Sequence, residues 1–166
     1  ICADVITQCY GQTLGVPAVA LRHANCYGPA DPHASHLVTH CLLACLRGEA
    51  PILRNRGTAR KSYLHVSDVV DAYLLLAERA VAGRSFWAAD APVSVWDVAA
   101  TAMRVSGIPG DPVVRETDLD QADYYEALDS SRLRALGWAP RTTLAEGMRT
   151  TLDWYRAHGG MAWLDR

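Results

Sequence analysis

The chain has 166 residues, 50% hydrophobic and 20% charged, with sixteen Lys and Arg against eighteen Asp and Glu for a formal net charge of -2. That is long and apolar enough for one domain with a real core, and too apolar to stay disordered. The near-neutral balance gives no electrostatic case for nucleic acid or an anionic membrane, and the apolar runs are far too short to span a bilayer.

Val5, Ile6, Cys9 and Tyr10 recur at helical spacing, so a helix is expected over 3–14, closed at Gly15. Residues 17–23 (PAVALRH) are short, apolar and partly β-branched, and read as a buried strand delivering Asn25-Cys26-Tyr27-Gly28-Pro29 to a turn. A loop over 30–35 precedes an apolar helical stripe, Leu37, Val38, Cys41, Leu42, Cys45 and Leu46, ended by Gly48. Residues 51–54 read as a strand, 55–58 as a turn and 62–66 as another extended piece. Ser67 is expected to cap a helix over 68–81, with Asp68 at its positive end and Gly83 beyond it.

A strand is expected over 85–89, and Ser94 is expected to cap a helix over 95–105 that stops at Gly107 and Pro109. Then come a strand over 112–115, an acidic loop over 117–126, and a short helix over 130–136 capped by Asp129. Thr143 caps the last helix, 144–157. Strands alternating with helices over short connections predict an α/β fold.

Periodicity names no chemistry, and several familiar signatures are absent. No glycine-rich turn follows the first strand, and there is neither a GxSxG elbow nor a P-loop. A Tyr four residues before a Lys is impossible here, because Lys61 is the only lysine and Gly57 stands four before it. His33, His36 and His40 have a spacing that could share a helix face, but no carboxylate or Cys completes a ligand set, so no metal site is read. Five cysteines (Cys2, Cys9, Cys26, Cys41, Cys45) without a CxxC suggest neither a disulfide framework nor a zinc knuckle, and the expected setting is the reducing cytoplasm. Cys41 and Cys45 lie on the apolar stripe and read as core. The five tryptophans fall on separate elements and read as packing anchors. Ile1 opens the chain with neither an initiator Met nor a basic n-region, so no signal peptide is read and the chain is expected to start partway through something larger.

Three stretches are more specific: LRHANCYGP at 21–29, RGEAPILRNRGTARKSYLHVSDVVDAYLLLAE at 47–78, and LDSSRLRALGWAPRTTLAEGMRTTLDWYR at 128–156. In this order they resemble the NAD-dependent epimerase/dehydratase branch of the extended short-chain dehydrogenases. Within it the LRGE-P-R segment, the VDAYLLLAE helix and the P-V-S-V helix start look most like CDP-glucose 4,6-dehydratases, with nucleotide-sugar 4-epimerases close behind and a non-catalytic nucleotide-sugar or NAD-binding relative as the alternative of another class. The resemblance implies the C-terminal part of a Rossmann-like nucleotide-binding fold plus the smaller substrate-binding lobe. Residues 1–29 and 62–90 would complete the nucleotide-binding domain, and 30–61 and 91–166 would form the lobe. It also implies NAD as cofactor and a nucleotide-diphosphate sugar as substrate. The family's Tyr-x-x-x-Lys pair would fall just before Ile1, with the glycine-rich turn and an Asp–Glu pair further upstream. The chain is therefore expected to be a C-terminal half, inactive alone and holding mostly the substrate side. Members are commonly homodimers, with only residues 3–14 here placed to contribute.

Site residues carry over one by one. Asn25 matches an asparagine whose amide can donate to the pyrophosphate, against the plainer reading of a turn-forming Asn. Lys61 stands where most members carry an arginine gripping a phosphate oxygen; it supplies charge without the bidentate fork, and neighbouring Arg60 is the alternative. His36 and Leu37 fall where relatives present a basic and an apolar residue to the pyrophosphate and base. Ile52 and Arg54 match the strand flanking the nucleobase. Tyr124 or Tyr125 lies where relatives often place a phosphate-binding arginine, and Trp87 replaces a common asparagine. His23, Ala24 and Cys26 would lie at the nicotinamide end. Asp68 and Asp129 read as helix-start residues.

Overall fold

The computed structural model describes residues 2–54, 56–79, 82–115 and 124–160. Its first helix, α1 (Cys2–Thr13), follows the expected spacing, yet none of its residues is buried. Polar contacts hold it instead. Gln8 Nε2 donates to Ser85 Oγ (2.9 Å), Gln12 Nε2 donates to the Gly83 carbonyl (2.9 Å), and Asp4 pairs with Arg22.

The next segment corrects the sequence reading. After β1 (Ala20–His23) the expected turn is a second strand, β2 (Asn25–Tyr27). The cause is a change of partner. β1 lies parallel to β6 (Ser85–Ala88), and the Ala24 amide donates to the Ala88 carbonyl at 2.9 Å. One residue later the Asn25 amide donates to the Ser62 carbonyl at 3.1 Å, and β2 runs parallel to β5 (Tyr63–His65). Backbone groups that must be satisfied override the poor strand propensity of Asn25. The chain therefore splits between two neighbours at Ala24, the kind of switch point outside which α/β sheets leave a crevice.

The helices follow the sequence closely. α2 (Leu37–Leu46) ends before Gly48, whose φ of 77° suits a residue without a side chain. α4 (Val95–Ser106) and α6 (Leu144–Ala157) each open with a reciprocal capping box, Ser94 with Asp97 and Thr143 with Glu146. The short α5 (Ser131–Arg134) follows Asp129, which accepts from the Ser131 amide at 2.9 Å. Two further strand pairs complete the described structure: β3 (Ile52–Leu53) parallel to β8 (Val113–Val114), and β4 (Arg60–Lys61) antiparallel to β7 (Val93–Ser94). Most of the expected 117–126 loop, residues 80 and 81 of the third helix, and Trp163 lie outside the described residues.

α3 (Val66–Arg79) begins two residues earlier than expected, so Ser67 is not its cap. The Ser67 hydroxyl instead bonds His65 Nδ1 (2.8 Å) and Thr142 Oγ1 (3.3 Å). Asp68 is buried and serves a distant segment rather than its own helix start. Its carboxylate accepts from the Arg141 and Thr142 amides (2.9 and 3.2 Å), and its carbonyl accepts from Trp138 Nε1 (3.0 Å).

Two apolar clusters form. One joins α2, α4 and α6 through Leu42, Cys41, Val98, Met103, Met148 and Leu152, with Tyr27 and Leu53 at its edge. The other packs Leu64, Phe86, Ala88, Val69 and Leu76 against Leu133 and Trp138. Both clusters draw on residues from each side of residue 90. Among the described residues no helix is long and apolar enough to cross a membrane.

Tyr27 and His65, adjacent in register, meet edge to face with centroids 5.6 Å apart, beneath α6. Gly147 permits the close approach, since a Cβ there would lie 2.3 Å from the Tyr27 hydroxyl. Alanine normally gains a helix about 1 kcal/mol over glycine. Overpacking against this rigid, buried phenol costs about 1–3 kcal/mol, so Gly147→Ala is expected to lower the thermal midpoint; a raised midpoint would refute the close approach.

His65 is buried, and its Nδ1 accepts from the Ser67 amide at 3.4 Å, which places the neutral ring's proton on Nε2, where no partner stands among the described residues. Burial lowers its pKa below the ordinary 6.5, with Asp68 partly opposing. The unfolded chain therefore takes up this proton first. The stability is complete above the ordinary pKa and is lost as pH falls through the lowered one. Urea titrations over this range should show stability falling on acidification, with a flatter dependence in His65→Gln.

Candidate functional site

Outside the carboxyl ends of β1 and β2 two cavities lie side by side. The larger, about 690 Å³, is lined by His23, Ala24, Asn25 and Cys26 from the switch point, by His36 and Val38 at the start of α2, and by Trp87 and Glu126. The second, about 600 Å³, is lined by His40, Ile52, Arg54, Ala59, Val95 and Tyr124. Ser35, Leu37, Lys61 and Tyr63 line both and form the wall between them. Both volumes fall in the range of small-molecule sites.

The α2 side of this wall is fixed by packing, because Val38, Cys41 and Leu42 are buried in the helical core. The loop before it is tied by Asp31. The Asp31 carboxylate accepts from the His33 amide (3.0 Å) and the Thr39 hydroxyl (2.7 Å) and lies 2.9 Å from His36 Nδ1. Burial pushes this carboxyl up, but those hydrogen bonds and the His36 ring outweigh it, and Asp31 sits below its ordinary range. It stays ionised. Cys26 is the reverse: burial, then the nearby Asp31, raises its thiol pKa, so it is a packed thiol and not a thiolate nucleophile. Burial, with Cys41 and Glu126 adding, pushes the Tyr63 phenol up to about 12, so it faces the cavities protonated.

On the opposite side, the Arg60 amide donates to the Tyr124 carbonyl (2.7 Å) and the Glu126 amide to the Arg60 carbonyl (3.0 Å), laying 124–126 along β4. Glu126 Oε2 accepts from the Ser62 amide (3.0 Å) and from Asn25 Nδ2 (3.2 Å). Lys61 Nζ lies 5.7 Å from the Tyr124 ring centroid, a cation–π distance.

Of the site residues singled out by sequence, all but Arg60 and Tyr125 border one or both cavities. Asn25 and Lys61 share the larger one, Leu37 and Lys61 line both, and Ile52, Arg54 and Tyr124 gather on the second. Arg60 turns away. Neighbouring strand residues point to opposite faces, and while Lys61 faces the cavities the Arg60 guanidinium donates to the Pro92 carbonyl (2.9 Å). It cannot stand in for Lys61. Asn25 also differs from the expectation, because its amide already donates to the Ser62 carbonyl (2.9 Å) as well as to Glu126. Trp87 borders the larger cavity beneath the Arg22 guanidinium, 5.3 Å from the ring centroid. No group of three potential metal ligands occurs among the described residues.

Sequence reasoning missed Asp31, Glu126 and Tyr63. For Asp31 a signal existed, since an Asp two residues before a loop amide is a turn former. Its reach to His36 needs the folded loop, and Glu126 meets Asn25 across a hundred residues of chain.

Comparison with known proteins gives this geometry a context. The model of the NAD dependent epimerase/dehydratase family matches residues 1–89. The trifunctional UDP-glucose 4,6-dehydratase/UDP-4-keto-6-deoxy-D-glucose 3,5-epimerase/UDP-4-keto-L-rhamnose-reductase of Arabidopsis thaliana is 27% identical over 157 residues, covering 92% of this chain and 23% of that protein. The dTDP-glucose 4,6-dehydratase of Mycolicibacterium smegmatis is 30% identical over 159 residues, covering 94% of this chain and 48% of the relative. The UDP-glucose 4-epimerase of Thermotoga maritima, solved with UDP-glucose, superposes with a TM-score of 0.81 at 25% identity, over 95% of this chain and 52% of that one. The chain thus spans about half, or less, of the length of these relatives. With an α/β fold of the same kind and a family match over more than half its residues, the chain belongs to the NAD dependent epimerase/dehydratase family.

Proposed function

We propose that this chain supplies the nucleotide-sugar side of an NAD-dependent 4,6-dehydratase acting on a pyrimidine-diphosphate glucose. The observation that carries the reading is the pair of joined cavities with Lys61 in the wall between them and Asn25 beside it. A nucleotide sugar is a base and a sugar separated by a diphosphate, and two apolar-lined spaces divided by a cationic wall match that order. Relatives that act on UDP-glucose and dTDP-glucose support the substrate class, and the sequence resemblance adds CDP-glucose; all three carry pyrimidine bases. A 4-epimerase is the second reading, favoured by the likeness to the UDP-glucose 4-epimerase.

In this reading the base lies against Ile52, Arg54 and Tyr124, the diphosphate at Lys61 and Leu37 with His36 and Asn25, and the hexose toward the switch point. Residues 1–29 and 62–90 would carry the nucleotide-binding sheet, and 30–61 and 91–166 the substrate lobe. Lys61 acts as a point charge on a phosphate oxygen and lacks the fork of an arginine. The Asn25 amide must leave Glu126 to donate to that oxygen. Leu37 and Val38, backed by the helical core, keep water from the reacting end. His23, Ala24 and Cys26 fit the nicotinamide: they stand at the carboxyl ends of parallel strands, Ala24 is small and buried, and the Cys26 thiol is uncharged. NAD, when bound, supplies a hydride acceptor that returns the hydride later in the cycle.

Titration of the natural full-length protein with CDP-, UDP- and dTDP-glucose in the presence of NAD should show binding of at least one. Failure of all three overturns the nucleotide-sugar reading. Turnover to a 4-keto-6-deoxy sugar marks the dehydratase, and inversion at C4 alone marks the epimerase. Lys61→Ala should weaken binding by about 1.5–3 kcal/mol, the range for a lost hydrogen bond to a charged group; an unchanged Kd removes Lys61 from the site.

A further inference from the structure

We propose that Asp31 is a positioning residue: it fixes the His36 imidazole so that Nε2 is presented to the larger cavity, where the ring binds an anionic oxygen once it is protonated. This rests on the nucleotide-sugar reading and adds to it a pH-governed phosphate contact.

The geometry is explicit. A carboxylate only accepts, so the 2.9 Å contact between Asp31 Oδ2 and His36 Nδ1 puts a proton on Nδ1. Nε2 is then the ring atom left for the cavity that His36 lines. In the neutral ring Nε2 offers a lone pair and holds off an anionic oxygen. In the imidazolium it offers an N–H and a charge, the stronger kind of hydrogen bond. Imidazole is the side chain that ordinarily makes this change between about pH 5 and 8.

Asp31 is built to hold the ring still. Its side chain is 12% exposed where that of His36 is 56% exposed. The His33 amide and the Thr39 hydroxyl hold its carboxylate, and the fully buried Tyr155 donates its hydroxyl to the Asp31 carbonyl at 2.8 Å, tying the loop to α6. A preorganised donor costs less ordering on binding than a free surface side chain.

The other titratable or charged groups around the ring are His33, with centroids 4.9 Å apart, and His23, Cys26, Lys61, Tyr63 and Glu126 on the same cavity. His40 lies one turn on and lines the second cavity. Cys26 and Tyr63 remain protonated through the range because burial raises both. His23 Nδ1 is 2.8 Å from the Ala24 carbonyl, which commits that nitrogen to the backbone. His36 is the imidazole of this cavity held by a carboxylate and aimed away from the backbone.

The test measures Kd for CDP-, UDP- and dTDP-glucose by calorimetry across about pH 6 to 8, using the full-length protein with NAD. These diphosphate diesters keep their charge over that range. Wild-type affinity should strengthen about tenfold toward the acid end, the size of one charged hydrogen bond. His36→Gln should abolish that gain, and His36→Lys should bind tightly with no pH dependence. Asp31→Asn should lose several-fold affinity at the acid end and little at the alkaline end, a profile a merely structural role would not produce. Since His36 is exposed, its two variants remain informative if Asp31→Asn fails to fold. A flat wild-type profile, or one unchanged in His36→Gln, overturns this inference alone; no binding of any of the three sugar nucleotides at any pH overturns the functional reading beneath it.

Discussion

Two consecutive backbone hydrogen bonds organise the molecule: Ala24 amide to Ala88 carbonyl, then Asn25 amide to Ser62 carbonyl. Because successive amides point to opposite sides of a strand, one extended segment serves β6 and β5 in turn. Everything at the site follows from that divergence. It opens a crevice at the carboxyl ends, aims Asn25 into it, and brings the 62–65 segment, with Lys61 just before it, onto the far wall. A slip of one residue at this point would exchange the faces of every side chain from His23 to Tyr27, whereas a proline would delete one of the two amide donors.

The charges of the crevice are already engaged with one another. Lys61 faces Tyr124, Glu126 holds Asn25 and the Ser62 amide, and Asp31 holds His36. Each of these groups therefore has a partner to trade when a ligand arrives, and the net gain from any one such contact is the difference between two bonds. A dianion in this crevice meets Lys61 as a point charge and Glu126 of its own sign, with Arg54 on the second cavity. Affinity therefore draws on the apolar walls and on exchange of partners as well as on positive charge.

The sequence was most legible where structure is local. The α2 stripe and Gly48, and the capping boxes at Ser94 and Thr143, state their helices within a few residues of chain, and those bounds agree almost to the residue. Strand partners were not legible, because Asn25 and Ser62 meet only when distant segments fold together, and Asn-Cys-Tyr-Gly-Pro has the composition of a turn. The α3 start shows the same limit: Ser67 and Asp68 have good capping chemistry, but the 138–142 segment takes the Asp68 carboxylate and Thr142 and His65 take the Ser67 hydroxyl. At the site, matching by position found Lys61, Leu37 and Arg54, whereas strand alternation, knowable only once β4 is placed, turns Arg60 away.

The two walls of the crevice are held by different forces, and this decides how each responds to change. On the α2 side Cys41 and Leu42 are fully buried, and a buried leucine contributes about 1.5–3 kcal/mol. Several such residues act together, so Leu37 and His36 inherit a fixed position from the core. The 124–126 side rests on two backbone hydrogen bonds and the Glu126 clasp, each worth roughly 0.5–1.5 kcal/mol net when neutral and somewhat more when charged. Core substitutions in α2 would displace one wall as a body, whereas a change at Glu126 would alter the other locally and leave the helical lobe intact. Positioning thus belongs to α2, and adjustment to the segment carrying Tyr124 and Glu126.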